Sequence, residues 1–297
     1  MLAIIIPFYK LTFFEATLQS LANQSDKRFN VYIGDDASPE DCTTLLRKFE
    51  GQFDFTYHRF ESNLGGRSLT QQWERCIALS GDEEWLMILG DDDVLGGNVV
   101  EEFYKQYHYF QNISNVIRFA SQCVDSINNK VSNVFLHPVL ETSANSCFRR
   151  LKGNTRSSLS EYIFRRESFN KFHFRNYPLA WHSDDMAWVD FSDKKSIYSI
   201  NDAIVTINVS NSSLTGMNSN QSLKKEATIK FYKDLIESKL FQFSKKQSID
   251  ILMFYEVEIK QIRGLEISEW LLLFKKYLKN FQLIPFLKLV RRILISI

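Results

Sequence analysis

Four short apolar runs, each followed by residues at helical spacing, constrain this chain more than any other feature. The runs are AIII (3–6), NVYIG (30–34), DFTYHRF (54–60) and WLMIL (85–89). Phe14, Leu18 and Leu21 recur at helical spacing after the first, and Leu69, Trp73 and Ile77 after the third. The stretch SPEDCTTLLRKFEG predicts a helix capped by Ser38, with Pro39 in its first turn, Asp41 three residues after the cap and Gly51 as its stop. Alternation of this kind predicts an α/β fold, a mostly parallel sheet covered by helices, because parallel neighbours need crossover connections. Ligands of such sheets sit beyond the carboxyl ends of the strands. Pro7-Phe8-Tyr9, Asp35-Asp36 and Asp91-Asp92-Asp93 each follow one of the runs, so all three groups are expected along one edge.

The character changes after residue 98. NVVEEFYKQYHYF predicts a helix with Val99, Phe103, Tyr107 and Phe110 on one side. Strands are expected at 116–124, 160–165, 196–200 and 203–209. The polar stretch 125–158 reads as loop and ends in a basic patch of Arg149, Arg150, Lys152 and Arg156. Residues 210–222 read as a loop or linker, and from 223 onward the chain reads mostly as amphipathic helix. A length of 297 residues fits one large α/β domain with a small appendage. A net charge of +1 supplies no global field for nucleic acid, so none is expected as a partner. The four cysteines have no metal-binding spacing and read as reduced, mostly buried thiols. The apolar start MLAIIIPFYK is too short for a signal sequence and reads as a strand. No run reaches the ~20 apolar residues of a transmembrane helix. A cytoplasmic location is therefore expected, or one peripheral on the inner face of the cytoplasmic membrane.

Three carboxylates at the end of a buried strand repel one another unless a cation sits among them. Mg²⁺ or Mn²⁺ would offset that repulsion, typically with one or two carboxylates and the phosphates of a substrate; an acidic turn capping the next helix is the plainer reading. Asp35-Asp36 fits either an Asx-turn or an acceptor for a nucleobase or ribose. In Asn63-Leu64-Gly65-Gly66-Arg67 the glycines let backbone approach a ligand, and Arg67 could face a diphosphate. The fingerprints GxGxxG and GxxxxGK[ST] do not occur, which removes the usual marks of hydride transfer and of P-loop chemistry. In Trp181-His182-Ser183-Asp184-Asp185-Met186-Ala187-Trp188, Ser183 reads as a helix cap with the aspartates favoured by the dipole. A carboxylate so placed could also deprotonate a sugar hydroxyl. His182 reads as a packing or hydrogen-bonding residue rather than a metal ligand.

Taken in order, IIIPFYK, GDDASPED, NLGG, LGDDDVL and WHSDDMAW resemble family-2 glycosyltransferases of the GT-A fold, in particular those of bacterial surface-polysaccharide synthesis. The resemblance covers residues 1 to about 210 and implies a GT-A catalytic domain at 1–215. Within it, 1–97 would bind nucleotide and 98–215 acceptor; 216–297 would be a helical extension. It implies that Pro7, Phe8 and Tyr9 line the nucleotide pocket and that Asp36, or Asp35, binds base or ribose. Asn63, Gly65, Gly66 and Arg67 would lie near the diphosphate. Asp91 and Asp92 would touch the nucleotide-sugar, and Asp93 or Asp92 the divalent metal, Mn²⁺ or Mg²⁺. Asp185, or failing it Asp184, would be the base. Two departures stand out: Gly90 occupies the place of the usual first aspartate, and Leu69-Thr70-Gln71 the place of an Ala-Arg-Asn triplet.

The implied reaction is inverting transfer of a sugar from a nucleotide-diphospho-sugar, UDP being the commonest nucleotide in the family, to a saccharide or lipid-linked hydroxyl. A nucleotide-sugar binder without activity and a metal-dependent nucleotidyltransferase or phosphohydrolase are the competing readings. The tail LLLFKKYLKNFQLIPFLKLVRRILISI mixes apolar clusters with Lys275, Lys276, Lys279, Lys288, Arg291 and Arg292. That pattern fits an anionic membrane surface, and equally a helix packed on the catalytic domain or a dimer contact.

Overall fold

The computed structural model describes residues 1–211, 213, 216 and 220–296. The chain divides into two compact units, Met1–Ser219 and Asn220–Ile297. In the first, strands β1 (Leu2–Phe8), β2 (Phe29–Asp35), β3 (Phe55–Arg59), β4 (Trp85–Ile88) and β5 (Val94–Leu95) are followed by β6 (Val116–Asp125), β7 (Lys130–Val131), β8 (Leu140–Thr142), β9 (Tyr162–Arg165) and β10 (Ser196–Val209). Its helices are α1 (Phe14–Ala22), α2 (Thr43–Arg47), α3 (Leu69–Ile77), α4 (Val99–Phe110), α5 (Ser143–Leu151), α6 (Arg166–Phe172) and α7 (Ser183–Phe191).

The strand order is β3-β2-β1-β4-β9-β6-β10-β5, with β7 on β6 and β8 on β10. The half built from β1 to β4 is parallel throughout. The other half is mixed: β9 runs antiparallel to β4 and β6, and β10 runs parallel to β6. Strand β1 shows why its sequence does not alternate. Leu2, Ile4, Ile6 and Phe8 enter one core with residues of α1 and α4, while Ala3 and Ile5 enter a second core with Trp73, Ile77, Trp188 and Phe191. A strand covered on both faces is apolar at every position.

Several sequence expectations are corrected. The helix after β2 begins at Thr43 with Cys42 as cap residue, not at Ser38. The Ser38 hydroxyl instead donates to the Tyr9 carbonyl at 2.6 Å, and Asp41 takes the Thr43 N–H at 2.9 Å. The supposed loop 125–158 contains β7, β8 and α5, whose cap Thr142 accepts from the Asn145 N–H. The two strands at 196–200 and 203–209 are one strand with a register shift between Ile200 and Ile204. Part of the segment 210–222, read as a loop, lies outside the described residues. All four cysteines are free, and only Cys123 is not buried.

The second unit comprises α8 (Gln221–Asp234), α9 (Lys245–Lys260), α10 (Ile267–Lys279) and α11 (Leu283–Ser296). Ser244 and Gln247 form a capping box at α9, which fixes where that helix starts. Glu256 of α9 accepts from Lys260 and from Arg292 of α11, each at 2.8 Å. Among the described residues no helix is long and apolar enough to cross a membrane.

Candidate active site

Strand order reverses at β1: β2 and β3 lie to one side of it and β4 to the other. A crevice opens at such a point beyond the strand ends. Here the exits of β1 and β4 are tied together, because the N–H groups of Tyr9 and Lys10 both donate to Asp91 Oδ2 at 2.8 Å. Tyr9 is exposed and Pro7 half-buried, but Phe8 is turned inward and its ring packs on Phe14 at 4.6 Å. Only the backbone of Phe8 is at the crevice, where its carbonyl accepts from the Asp36 N–H.

Asp35 is wholly buried and its oxygens are taken up locally. Oδ1 accepts from the Ser38 N–H at 2.8 Å, the Asx-turn contact, and Oδ2 accepts from the Tyr57 hydroxyl and from Arg59, each at 2.7 Å. Asp36 holds the glycine turn: it accepts from the N–H of Leu64 at 2.7 Å and of Gly65 at 2.9 Å, and it pairs with Arg75. The Arg75 guanidinium lies over the Phe60 ring, 3.9 Å from its centre. The room left by the two glycines is filled by the chain's own side chains. A Cβ on Gly65 would come within 2.6 Å of Asp36 Oδ2, and one on Gly66 within 2.5 Å of Asn63 Oδ1. Arg67 is exposed.

The three aspartates differ in environment. Asp93 is buried, with Oδ2 accepting from the Ser160 hydroxyl at 2.5 Å and Oδ1 from the Asn208 N–H at 3.0 Å. Burial pushes its carboxyl up to about 6 against those two hydrogen bonds. Asp92 faces neither of these donors. Burial, then the charges of Asp93 and Asp91, push its carboxyl up to about 8. A Cβ at position 90 would lie 3.0 Å from both Asp92 Oδ1 and Asp93 Oδ2, so glycine there lets both carboxylates fold back over the turn. Among the described residues no three His, Cys, Asp or Glu side chains form a metal cage. The adjacent carboxylates of Asp92 and Asp93 would fit a hard cation only with phosphate oxygens to complete its shell. Asp92 is the carboxylate that such a cation would relieve.

The second carboxylate group starts α7. Its cap residue is His182, in the left-handed region at φ 66°, and Ser183 is the first helical residue rather than the cap. Leu179 and Ala180 are also left-handed, at φ 57° and 53°. Such conformations cost about 1–3 kcal/mol each for non-glycine residues and gather at functional sites. His182 Nδ1 lies 2.7 Å from Asp185 Oδ2, and Arg150 Nε lies 3.9 Å from Oδ1. Burial opposes ionisation of Asp185, but the His182 hydrogen bond and the Arg150 charge outweigh it and hold the carboxyl below its usual value. In Asp184, burial and the Asp185 charge act together and push the carboxyl up to about 8.

Residues 3–187 match the model of glycosyl transferase family 2. The chain belongs to that family. It has the GT-A fold and resembles solved structures of S. aureus TarS. The TarS 1–349 structure in complex with UDP-GlcNAc superposes with a TM-score of 0.66 at 13% identity, over 94% of this chain and 80% of that one. The complex of TarS 1–349 with UDP gives 0.63 at 14% identity over the same shares. A longer TarS structure gives 0.62 at 14% identity, over 96% of this chain and 50% of that one. No curated protein sequence matches.

In this family-2 chain the structure brings Tyr9, Asp36 and Asp91 to the parallel edge, as the strand ends predicted, and Asp36 holds the Asn63–Gly66 turn beside them. Sequence reasoning missed Arg75, which pairs with Asp36, and Ser160 and Asn208, which hold Asp93; it noted Arg150 only as part of a basic patch, not as the neighbour of Asp185.

Proposed function

We propose that this protein transfers a sugar, with inversion, from a nucleotide-diphospho-sugar to a hydroxyl of a saccharide or lipid-linked saccharide, as in bacterial surface-polysaccharide synthesis. The observation that carries this is the pairing of an aspartate cluster at the strand-order reversal with a separate ionised carboxylate, Asp185, at the strained start of α7. UDP is the proposed nucleotide, in keeping with the UDP and UDP-GlcNAc complexes of TarS 1–349. Asp36 and the turn it holds, with Tyr9, would face the base and ribose. Asp92, backed by Asp93, would hold Mn²⁺ or Mg²⁺, which neutralises charge on the departing diphosphate. Asp185 would take the proton of the acceptor hydroxyl as its oxygen attacks the anomeric carbon from the face opposite the diphosphate. The carbon–oxygen bond to the diphosphate breaks with its electron pair, which leaves UDP. His182 orients the carboxylate through its 2.7 Å contact. Product analysis tests the reading. A UDP-sugar with a saccharide acceptor should yield free UDP and a lengthened glycan; release of pyrophosphate or phosphate would refute it.

The pH dependence separates the two candidate bases. A base works only when deprotonated, so its acid limb falls at its own pKa. Asp185 is held below the usual carboxylate value and Asp184 near 8. With saturating Mn²⁺, kcat/KM is expected to stay flat from pH 9 down to pH 6. A fall centred near 8 would transfer the role to Asp184.

The helical unit is proposed to rest on an anionic membrane surface. On α11, Ile284, Leu287, Leu294 and Ile295 are exposed beside the exposed Lys288 and Arg291. Each basic residue near such a surface contributes about 1 kcal/mol, and buried apolar area adds to it. The protein should co-sediment with phosphatidylglycerol vesicles and much less with phosphatidylcholine vesicles. Leu287→Asp/Leu294→Asp should lose the binding; equal binding to both lipids would exclude the electrostatic part.

A further inference from the structure

The lining of one cavity in the catalytic unit includes Asp185 and three arginines, Arg118, Arg150 and Arg156. Its empty volume is about 260 Å³, including space open to solvent, and its lining is rich in polar side chains. Arg118, on β6, is fully buried. Its two terminal nitrogens donate to Ser146 at 2.7 Å and Glu141 at 3.0 Å, while its Nε is buried without an acceptor. Among the described residues the Nε of Arg150 likewise makes no hydrogen bond, its ion-pair partner Asp185 Oδ1 standing off at 3.9 Å. Leaving a charged donor buried and unmade costs more than the bond itself contributes.

The local charge is positive. Glu141 serves both Arg118 and Arg149, the latter at 2.7 Å, so two guanidinium groups share one carboxylate. Glu141 and the partner of Arg156, Glu161, both lie outside the cavity lining. Counted with these partners, the guanidinium groups of Arg118, Arg149, Arg150 and Arg156 meet the carboxylates of Glu141, Glu161 and Asp185, an excess of one positive charge among these described residues. His137 registers the same field: burial, then Arg118, Arg149 and Arg156, push its imidazole down to about 3.

We infer that this cavity is an oxyanion site and that the acceptor is an anionic saccharide, with a phosphate or carboxylate a few bonds from the hydroxyl that reacts. The inference rests on the transferase reading for Asp185. Oδ2 of that residue is turned to His182 and Oδ1 toward Arg150, so an acceptor hydroxyl reaching the carboxylate brings its neighbouring atoms against the arginines. Arg150 would both bind the oxyanion and screen it from Asp185. Guanidinium groups take phosphate and carboxylate with charge-assisted hydrogen bonds.

The test is calorimetric titration of inorganic phosphate, and separately of acetate, into the full chain at fixed ionic strength with UDP and Mn²⁺ saturating, so that any diphosphate pocket is filled. Saturable binding is expected, weakened about tenfold or more in Arg150→Gln, the loss of one charge-assisted contact. Arg156→Gln should weaken it too, and serves if the first variant does not fold. Binding of phosphate alone assigns a phosphoryl acceptor, and binding of acetate a carboxylate acceptor. UDP binding without saturable uptake of either anion overturns the oxyanion site and leaves the transferase reading standing. Anion binding lost in Arg150→Gln without any UDP binding upholds the cavity and refutes the transferase reading. Anion binding indifferent to both variants also overturns the site.

Discussion

Asp185→Asn is expected to lower kcat by about 10²–10⁴-fold while UDP still binds, because removing a general base removes a contribution of that size. Asparagine keeps the shape and can still meet His182, but it cannot take a proton. Steady-state kinetics with a UDP-sugar, beside a UDP titration on the same sample, separate the two effects. His182→Ala should act in the same direction and less strongly, since it removes the group that orients Asp185 and not the base itself. Asp185→Asn with full activity would dismiss Asp185 and leave Asp184 as the candidate.

Asp92→Ala is expected to remove the metal-dependent part of UDP binding, weakening it by about tenfold to a hundredfold, the value of one or two charge-assisted contacts. Its Tm should hold or rise, because the substitution relieves repulsion from Asp91 and Asp93. Asp93→Ala should behave differently. It strips the acceptor from the Ser160 hydroxyl and the Asn208 N–H, and each buried group left unpaired costs about 1–3 kcal/mol. Thermal unfolding should therefore drop for Asp93→Ala whether or not metal binding changes. UDP binding that is identical with Mn²⁺ and with EDTA in the wild type would remove the metal from the mechanism.

Features written in local chemistry were legible in the sequence. The five-residue run before Asp91 announced a buried strand, the acids and the proline marked its neighbours' ends, and parallel pairing then placed those ends together. The helix start at Ser183-Asp184-Asp185 was legible too, since acids are favoured in a first helical turn, whereas a role as base for Asp185 came only from the resemblance. What could not be read depends on distant pairing. Ser38 has the composition of a helix cap, yet a carbonyl of the neighbouring strand's exit captures its hydroxyl. Ser160 sits in SEYIFR, which reads as plain strand, and only the placement of β9 beside β4 brings that hydroxyl to Asp93. The helix α5 was hidden because Ser143–Leu151 is polar for its length, and its arginines turn toward Glu141 and Asp185 rather than to solvent alone.

The clamp on Asp93 also bears on modularity. Both of its donors, Ser160 and Asn208, are encoded long after the aspartates themselves, and the strand that flanks β4 comes from residues 162–165. A gene fragment ending near residue 97 would carry every strand-end motif and lack the scaffold that positions the last of them. The first 97 residues are therefore not a transplantable cassette. Recombination that exchanges the chain beyond residue 97 between relatives has to carry a serine and a strand amide that fit the recipient's aspartate turn.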